Sequence, residues 1–364
     1  MDKSPVLIIG GYGDVGFRLA KILTSRCNTP MILAGRNRLS AENAAAKLGY
    51  LARGIGLNAE MGIPLNLIKS VKAIVNLSEI AGDRIAKECV EADKIYIDAS
   101  ASHKYLLKIK KTVEQLGAVK GLAVINAGLA PGLTNIMAAD ILNRHQCSKD
   151  IDIVVSLGGG VRHGLAATQW FLESLGEQFQ TRRDRINQKI VTGDHWKIFS
   201  SSFFQQEKVW AMAFGLPDQI AIADKYPQLE NARSFLNLEP VWLNTFLRTT
   251  MTNGISKLIS KYAHFFANLL QRIPEFGNDN VFIYIQVRSK NGDETHISAF
   301  RGTDQAELTA NMLVAGLLCA EDSSKTGVVD LDDILDLKRS KAALAEGDVS
   351  AHAFQTPRFM EIST

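Results

Sequence analysis

The chain has 364 residues and a formal net charge of +3, and 46% of its residues are hydrophobic and 22% charged. These fractions are typical of a globular protein, and the length predicts two domains, because single hydrophobic cores stop growing at about 250–300 residues. So small a net charge argues against a nucleic-acid-binding protein.

The start of the chain, its longest uncharged run and its cysteines bear on where the protein works. The apolar stretch after Asp2 and Lys3 is broken by glycines and by Asp14, unlike a signal peptide. Residues 308–320 form an uncharged apolar run, which is too short to span a bilayer. The four cysteines are far apart and lack zinc-site spacing, which is typical of free thiols in a reducing compartment. We therefore predict a cytoplasmic protein with no integral membrane segment and no bound metal.

A strand, a glycine turn and a helix open the chain. The apolar run Val6–Ile9 predicts a buried strand. Gly11 would allow the tight turn, Gly13 would let a pyrophosphate approach the backbone, and Gly16 would let the next helix lie close to the sheet. The residues that we expect to bind a dinucleotide are Gly11, Tyr12, Gly13, Asp14, Val15 and Gly16.

The end of the second predicted strand, residues 31–34, bears on which nucleotide is bound. Arg36 lies twenty residues after Gly16, where an NAD-specific site carries a carboxylate. A guanidinium matches phosphate oxygens, so Arg36 and its neighbour Asn37 favour NADP, with NAD possible. An S-adenosylmethionine site also has a glycine turn, but it usually needs an acid here. The alternative is that Arg36 and Arg38 are solvated loop charges.

Strand and helix patterns alternate through the rest of the first half. Ser40 is a candidate cap for a helix over residues 41–48, and a further helix is expected near residues 84–92. The further predicted strands are residues 50–57, 73–77, 95–98 and 122–125. This order predicts an α/β fold, a Rossmann domain with a doubly wound parallel sheet.

From about residue 130 the pattern changes to an inserted α+β domain with an antiparallel or mixed sheet. Asn291-Gly292 between two strand-like runs predicts a hairpin. The elements expected here are strands at 151–157, 209–214, 281–285 and 294–300 and helices at 165–179, 303–319 and 331–344. We predict a Rossmann domain of residues 1–130 plus about 303–345, a substrate and dimerisation domain of residues 131–302, and a loose tail, 346–364.

Residues 255–273 form an amphipathic helical pattern with Lys257 and Lys261 beside its apolar positions. We expect the apolar stripe to pack on the core of its own domain. A membrane surface or a dimer seam are the alternatives.

Ligands of open α/β sheets bind beyond the carboxyl ends of the strands. Ser78 and Glu79 follow the fourth predicted strand, and Asp98 ends the fifth. We expect Ser78 to contact the cofactor, and Asp98 either to act in catalysis near the nicotinamide or to cap a helix. Pro131 and Gly132 open a helix whose free N–H groups would hold a substrate carboxylate; the alternative is a plain turn.

A proton donor is needed wherever hydride transfer generates an alkoxide or an amine. His163 lies in a glycine-rich stretch after an apolar strand and is the candidate general acid. Its neighbour Arg162 is a candidate for binding an acidic substrate group. The alternative is that His163 is structural.

Four segments carry a resemblance to a known family. They are Gly-Tyr-Gly-Asp-Val-Gly at 11–16, Ala-Gly-Arg at 34–36, Tyr-Ile-Asp at 96–98, and residues 127–135. With them the chain resembles the saccharopine dehydrogenase (saccharopine reductase-like) family over residues 1–137. The resemblance implies a Rossmann domain interrupted by an α+β substrate and dimerisation domain. Asn-Leu-Ser-Glu at 76–79 replaces the family's Asn-x-Ala-Gly-Pro, so Glu79 either alters how the nicotinamide lies or serves a different substrate.

Together these features predict an NADP-dependent oxidoreductase that transfers a hydride on a C–N, C=O or C=C bond of a small polar substrate. A homodimer is a further expectation, because the second domain offers a sheet for pairing. The alternative from another class is a non-catalytic NADP-binding sensor whose second domain binds a partner protein.

Overall fold

The computed structural model of the protein describes residues 4–159, 165–200, 208–252, 255–270, 272, 278–290, 294–345 and 358–363. The chain divides into two compact units. The first consists of Met1–Ile136 and Ala306–Ala351, and the second of Met137–Gln305 and His352–Thr364. No helix among the described residues is long and apolar enough to cross a membrane.

Helices and strands follow one another along the described chain. The strands are β1 (Val6–Ile9), β2 (Met31–Gly35), β3 (Ala52–Gly56), β4 (Ala73–Asn76), β5 (Ile95–Asp98), β6 (Leu122–Ile125), β7 (Ser148–Gly158), β8 (Gln178–Arg183), β9 (Ile186–Val191), β10 (Trp196–Ser200), β11 (Lys208–Ala213), β12 (Asn231–Glu239), β13 (Asn280–Ser289), β14 (Thr295–Thr303), β15 (Gly327–Asp330) and β16 (Arg358–Ser363). The helices are α1 (Asp14–Cys27), α2 (Arg38–Ala46), α3 (Leu65–Ser70), α4 (Gly82–Glu91), α5 (His103–Glu114), α6 (Leu133–Arg144), α7 (Leu165–Ser174), α8 (Asp218–Lys225), α9 (Val241–Thr252), α10 (Ile255–Lys261), α11 (Ala263–Leu270), α12 (Gln305–Glu321) and α13 (Leu337–Ala345).

The first unit contains a seven-stranded parallel sheet in the order β15-β6-β5-β4-β1-β2-β3. This confirms the predicted doubly wound sheet. Because β1 lies between β2 and β4, the chain reverses its direction of winding there, and the carboxyl ends of β1 and β4 meet at the edge where such folds bind ligands.

Apolar side chains hold the helices of the first unit on this sheet. All four residues of β1 are buried, and Leu19 and Leu23 of α1 are fully buried. Most of α12 is buried as well, which its apolar sequence requires. Arg26 at the end of α1 donates to Asn311 Oδ1 of α12 over 2.9 Å, so the two helices are tied by a polar contact.

The second unit contains a nine-stranded mixed sheet. Its main path is β10-β11-β12-β7-β13-β14-β16, and β8 joins β12 and pairs with β9. Strands β7 and β12 are parallel, while the other pairings are antiparallel. The predicted hairpin is confirmed as the pair β13–β14, whose turn residues 291–293 lie outside the described residues.

Several element boundaries differ from the sequence predictions. Helix α2 begins at Arg38 because Asn37, and not Ser40, is its cap: Asn37 Oδ1 accepts from the Ser40 N–H. The helix predicted over residues 165–179 ends at Ser174, and β8 begins at Gln178, because pairing with β9 and β12 outweighs local helical preference.

The end of the chain differs most from the predictions. A short strand, β15, pairs with β6, and the helix predicted over residues 331–344 is split into a 3-10 turn, Leu331–Asp333, and α13. Asp330 and Asp333 form a capping box that starts the turn. Residues of the expected loose tail form β16, because β14 offers them an edge for pairing.

Candidate functional site

The glycine turn after β1 brings α1 close to the sheet. A Cβ atom at Gly11 would lie 2.9 Å from the Ile8 carbonyl oxygen, and one at Gly16 would overlap the carbonyl of Gly10. Only glycine allows backbone segments to approach so closely. The turn therefore has the geometry that a dinucleotide-binding fingerprint needs.

The first turn of α1 is open to an anion. Gly13, the residue before α1, is exposed and provides no side-chain cap, so the N–H groups of the first turn point outward without one. Asp14 stands at this helix start, where its charge would repel a phosphate. Arg18 Nε lies 2.9 Å from Asp14 Oδ1 and offsets that charge.

Tyr12 connects the glycine turn to the end of β2. Its ring packs where a side chain at position 35 would stand, so any residue larger than glycine there would displace the ring. Its hydroxyl oxygen accepts from the Asn37 N–H over 3.2 Å. Asn37, expected at the cofactor, thus fixes this loop through its backbone and caps α2 through its side chain.

Two neighbouring arginines after β2 have different surroundings. Arg38 Nε lies 2.7 Å from Glu42 Oε1, an ion pair between adjacent turns of α2. Arg36 is exposed and has no ion-pair partner among the residues that the structure describes. Its guanidinium is therefore available to a phosphate group at this edge of the sheet.

The loop after β4 lies against the glycine turn. A Cβ at Gly10 would stand 3.4 Å from the Leu77 Cβ, so the two loops are in contact at the point where winding reverses. Ser78 donates to Asn76 Oδ1 from both its N–H, over 3.2 Å, and its hydroxyl, over 2.7 Å. The Ser78 hydroxyl oxygen can still accept a hydrogen bond from a ligand. Glu79 is exposed and accepts from the Ser100 hydroxyl over 2.7 Å.

A buried polar network lies directly behind this loop. Asp98 is 1% exposed, and its Oδ2 accepts from the Tyr96 hydroxyl over 2.5 Å and from the Tyr105 hydroxyl over 3.1 Å. Asn76 Nδ2 donates to both tyrosine oxygens, over 3.1 and 3.0 Å. The Ser100 N–H donates to Asp98 Oδ1. The network joins the ends of β4 and β5 to the start of α5.

Burial raises the pKa of the Asp98 carboxyl to about 6, and the nearby charge of Glu79 adds to this. The hydrogen bonds from its three donors favour the charged form and limit the rise. Since the carboxylate is fully enclosed by protein donors, the geometry suits positioning of the Ser78–Glu79 loop better than direct contact with a substrate.

Pro131 and Gly132 form a tight, buried turn before α6. The Gly128 N–H donates to the Pro131 carbonyl over 2.9 Å, and the Leu133 N–H donates to Gly128 over 3.0 Å. Gly132 has φ of 135°, and a side chain there would overlap the Gly128 backbone. Both predicted substrate residues thus shape the backbone at the start of α6.

Two asparagines beside this turn have unmatched polar atoms. Asn135, in the first turn of α6, is 1% exposed, and neither its Oδ1 nor its Nδ2 has a partner among the described residues. Asn126 Nδ2 donates to Asp330 Oδ1 over 2.6 Å, while its own Oδ1 has no such partner. Buried amides without partners are costly, so they indicate a place for a polar ligand group.

The structure brings together some of the predicted site residues, while others lie outside the described part of the chain. Gly11–Gly16, Tyr12, Arg36 and Ser78 meet around the ends of β1, β2 and β4. Arg162 and His163 lie outside the described residues. No group of three or more His, Cys, Asp or Glu side chains that could hold a metal is found in the described part of the chain.

Sequence reasoning did not single out Asn135, Tyr96 or Tyr105 for a role. Asn135 and Tyr96 lie within segments that carry the family resemblance, and that resemblance could have pointed to them. Tyr105 is on α5, and only the fold brings its hydroxyl to Asp98. No local pattern could have found it.

Solved structures of other proteins are similar to this chain in fold. The chain is similar to apo saccharopine dehydrogenase (L-Glu forming) from Saccharomyces cerevisiae, with a TM-score of 0.67, 11% identity, and coverage of 99% of this chain and 100% of that one. An engineered D-amino acid dehydrogenase (TM-score 0.46, 11% identity, 93% and 96% covered) and biliverdin reductase from Synechocystis (TM-score 0.41, 11% identity, 94% and 96% covered) are more distant. No family model and no curated protein matches the sequence. The fold implied by the resemblance is therefore confirmed.

Proposed function

We propose that the protein is an NADP-dependent oxidoreductase of the saccharopine dehydrogenase type. It transfers a hydride on a C–N bond, or else on a C=O or C=C bond, of a small polar substrate. One observation carries the proposal: an open helix start behind the glycine turn faces the same sheet edge as Arg36, which has no ion-pair partner among the described residues. Full-length similarity to the fold of the yeast enzyme supports it.

In this proposal the cofactor lies across the ends of β1, β2 and β4. The backbone of residues 11–16 binds the pyrophosphate at the start of α1. Arg36 binds the 2′-phosphate of the adenosine ribose, and the Ser78 oxygen accepts a hydrogen bond at the other end. The nicotinamide ring, when bound, supplies or accepts the hydride.

The substrate lies beyond β5 and β6. The amides of Asn126 and Asn135 offer acceptors and donors for its polar groups, next to the turn formed by Pro131 and Gly132. Glu79 adds a negative charge at the loop after β4, which favours a substrate that carries an amine. Asp98 holds this loop in place through Ser100.

The proposal also keeps the roles that the sequence predicts for Arg162 and His163, which lie outside the described residues. His163 would give or take the proton that accompanies hydride transfer, and Arg162 would bind an acidic group of the substrate. We also propose that the protein forms a homodimer through its second unit, which analytical ultracentrifugation would test.

Fluorescence titration with NADPH tests the nucleotide site. Gly13→Val adds a side chain at the exposed start of α1, where a Cβ meets only the Gly10 oxygen, at 3.1 Å. We expect wild type to bind NADPH and the variant to lose binding while its thermal unfolding stays close to that of wild type. No binding by folded wild-type protein would refute the proposal.

Turnover distinguishes an enzyme from a sensor. Amino acids, imines, ketones and unsaturated compounds would be screened for NADPH oxidation or NADP reduction at 340 nm. His163→Asn should lower kcat for any substrate found. NADPH binding without turnover of any class would favour the alternative, a non-catalytic sensor.

A further inference from the structure

Three consecutive helices of the second unit expose an unusual number of large apolar side chains. We call these exposed residues, taken together, the aromatic face. It consists of Trp242, Phe246, Ile255, Leu258, Tyr262, Phe265, Leu269 and Leu270, which are between 41% and 64% exposed. Single exposed apolar residues are common in proteins, but clusters of them mark interaction sites.

Helices α10 and α11 turn small side chains inward, whereas α9 also buries Leu247. Ser256 of α10 and Ala263 and Ala267 of α11 are buried, while larger neighbours such as Leu258 and Phe265 are exposed. Helix α10 contacts α7, α9 and α11, so the orientation is set by packing within the unit. This reverses the usual pattern, in which a helix buries its large apolar residues. Ile259 and Phe266 are half-buried, but the other six apolar residues of the predicted stripe are exposed, so the expectation that the stripe packs on its own core is wrong for most of it.

The charge of the same segment has one sign. Residues 241–272 contain Arg248, Lys257, Lys261 and Arg272 and no Asp or Glu. All four cations are exposed. Lys261 Nζ lies 5.7 Å from the centre of the Tyr262 ring, which places this charge next to the aromatic face.

We propose that the aromatic face binds to the surface of an anionic phospholipid membrane. Trp, Tyr and Phe with flanking Lys and Arg are typical of helices that lie in the headgroup region. Anionic lipids attract each such cation. Helices α10 and α11 have 7 and 8 residues, so they would lie along the membrane and not cross it.

Charge also argues against a second copy of the chain as the partner of the aromatic face itself. A two-fold dimer would place this face against itself. The four cations of each protomer would then enter the same interface as the four cations of the other, with no carboxylate in residues 241–272 to pair with them. An anionic surface neutralises these charges, whereas self-association through this face would bring like charges together.

Vesicle cosedimentation of the full-length protein tests the proposal. The vesicles are phosphatidylcholine alone, or phosphatidylcholine mixed with phosphatidylserine. We expect binding to the mixed vesicles, weakened roughly tenfold or more between about 0.1 and 0.5 M salt. Phe265→Ser with Leu269→Ser, and separately Lys257→Glu with Lys261→Glu, should each abolish binding. The matched controls in the first unit, Tyr50→Ser and Lys47→Glu, should bind like wild type.

Tryptophan fluorescence gives an independent readout. Insertion of Trp242 should shift the emission to shorter wavelength on mixed vesicles, and Trp242→Phe should remove this shift. Near-UV circular dichroism checks that each variant is folded. Folded wild type that ignores mixed vesicles, or binding that survives both double variants, would overturn the proposal. The proposal would also be overturned if wild type is a dimer that does not bind vesicles and the double variant Phe265→Ser with Leu269→Ser is a monomer.

Discussion

The Tyr96 hydroxyl donates a hydrogen bond of 2.5 Å to Asp98 Oδ2, and both side chains are buried at the carboxyl edge of the parallel sheet. Tyr105 donates to the same oxygen from α5. Because Asp98 also accepts from the Ser100 N–H, and the Ser100 hydroxyl donates to Glu79, the pair fixes the loop beside the proposed nicotinamide site.

Replacement of Asp98 should change how stability depends on pH. Folding raises the pKa of this carboxyl to about 6, so the folded protein holds the proton more tightly than the unfolded chain. Its contribution to the free energy of unfolding is full below about pH 4 and is lost as pH rises through about 6. As pH rises from about 4 to above 6, the free energy of unfolding of wild type should therefore fall by roughly 3 kcal/mol relative to that of Asp98→Asn.

Urea unfolding of both proteins across this pH range measures the difference. Glu91→Gln is the control, because Glu91 is half exposed at the end of α4. A difference between wild type and Asp98→Asn that stays constant from pH 4 to 8 would show that folding leaves this pKa unchanged.

Asn135→Leu should stabilise the unliganded protein. The amide of Asn135 is buried without partners among the described residues, so an apolar side chain of similar size removes a desolvation cost of about 1–3 kcal/mol. The same change should raise KM for a substrate, since the proposed polar contact is lost. Thermal unfolding and steady-state kinetics measure the two effects.

Asn311→Leu is the matched control. Asn311 is also buried, but its Oδ1 accepts from Arg26 and its Nδ2 donates to the Glu307 carbonyl. This variant should lose stability. Equal losses in Asn135→Leu and Asn311→Leu would mean that Asn135 has an internal partner and no ligand role.

The second unit contains a buried ion cluster that should dominate its stability. Asp152 is fully buried, and Lys197, Arg233 and Arg288 approach its carboxylate to within 2.5, 2.7 and 2.9 Å. Burial alone would raise the pKa of Asp152, but the three cations outweigh it and hold the pKa below its ordinary value. Asp152→Ala would remove the carboxylate that the three cations share and leave Arg233 and Arg288 only their longer contacts to Asp150, at 3.7 and 3.5 Å, so it should cost about 3–5 kcal/mol.

The pH dependence of this cluster has the opposite sign to that of Asp98. A lowered pKa adds stability above about pH 4 that is lost as pH falls. The difference in free energy of unfolding between wild type and Asp152→Ala should therefore become smaller at acid pH. Asp224→Ala removes an exposed carboxylate that lies 3.8 Å from Arg182, and it should cost less than about 1 kcal/mol. Similar losses in both variants would contradict this view of the cluster.

The parts of the fold that local patterns encode were predictable. The strand, turn and helix over residues 6–27 follow from an apolar run, glycines and a helical stripe. The hairpin β13–β14 follows from two strand patterns around Asn291-Gly292. In both cases the residues that specify the element are neighbours in the chain.

The parts that depend on distant pairing were not predictable. Strand β15 pairs with β6, about two hundred residues earlier in the chain, and β16 depends on the free edge of β14. The site shows the same limit: the glycine turn and Arg36 could be found from spacing, whereas the Tyr105 contact with Asp98 requires α5 to pack beside β5.

The ratio of NADPH to NADH affinity in Arg36→Asp tests whether Arg36 selects NADP. Arg38→Asp is the control, because Arg38 is already paired with Glu42 and lies two residues away. We expect wild type to prefer NADPH, and Arg36→Asp to weaken NADPH binding by roughly tenfold to a hundredfold, with NADH binding kept or improved. Arg38→Asp should retain the wild-type preference. An Arg36→Asp protein that still prefers NADPH as strongly as wild type would show that Arg36 does not bind the 2′-phosphate.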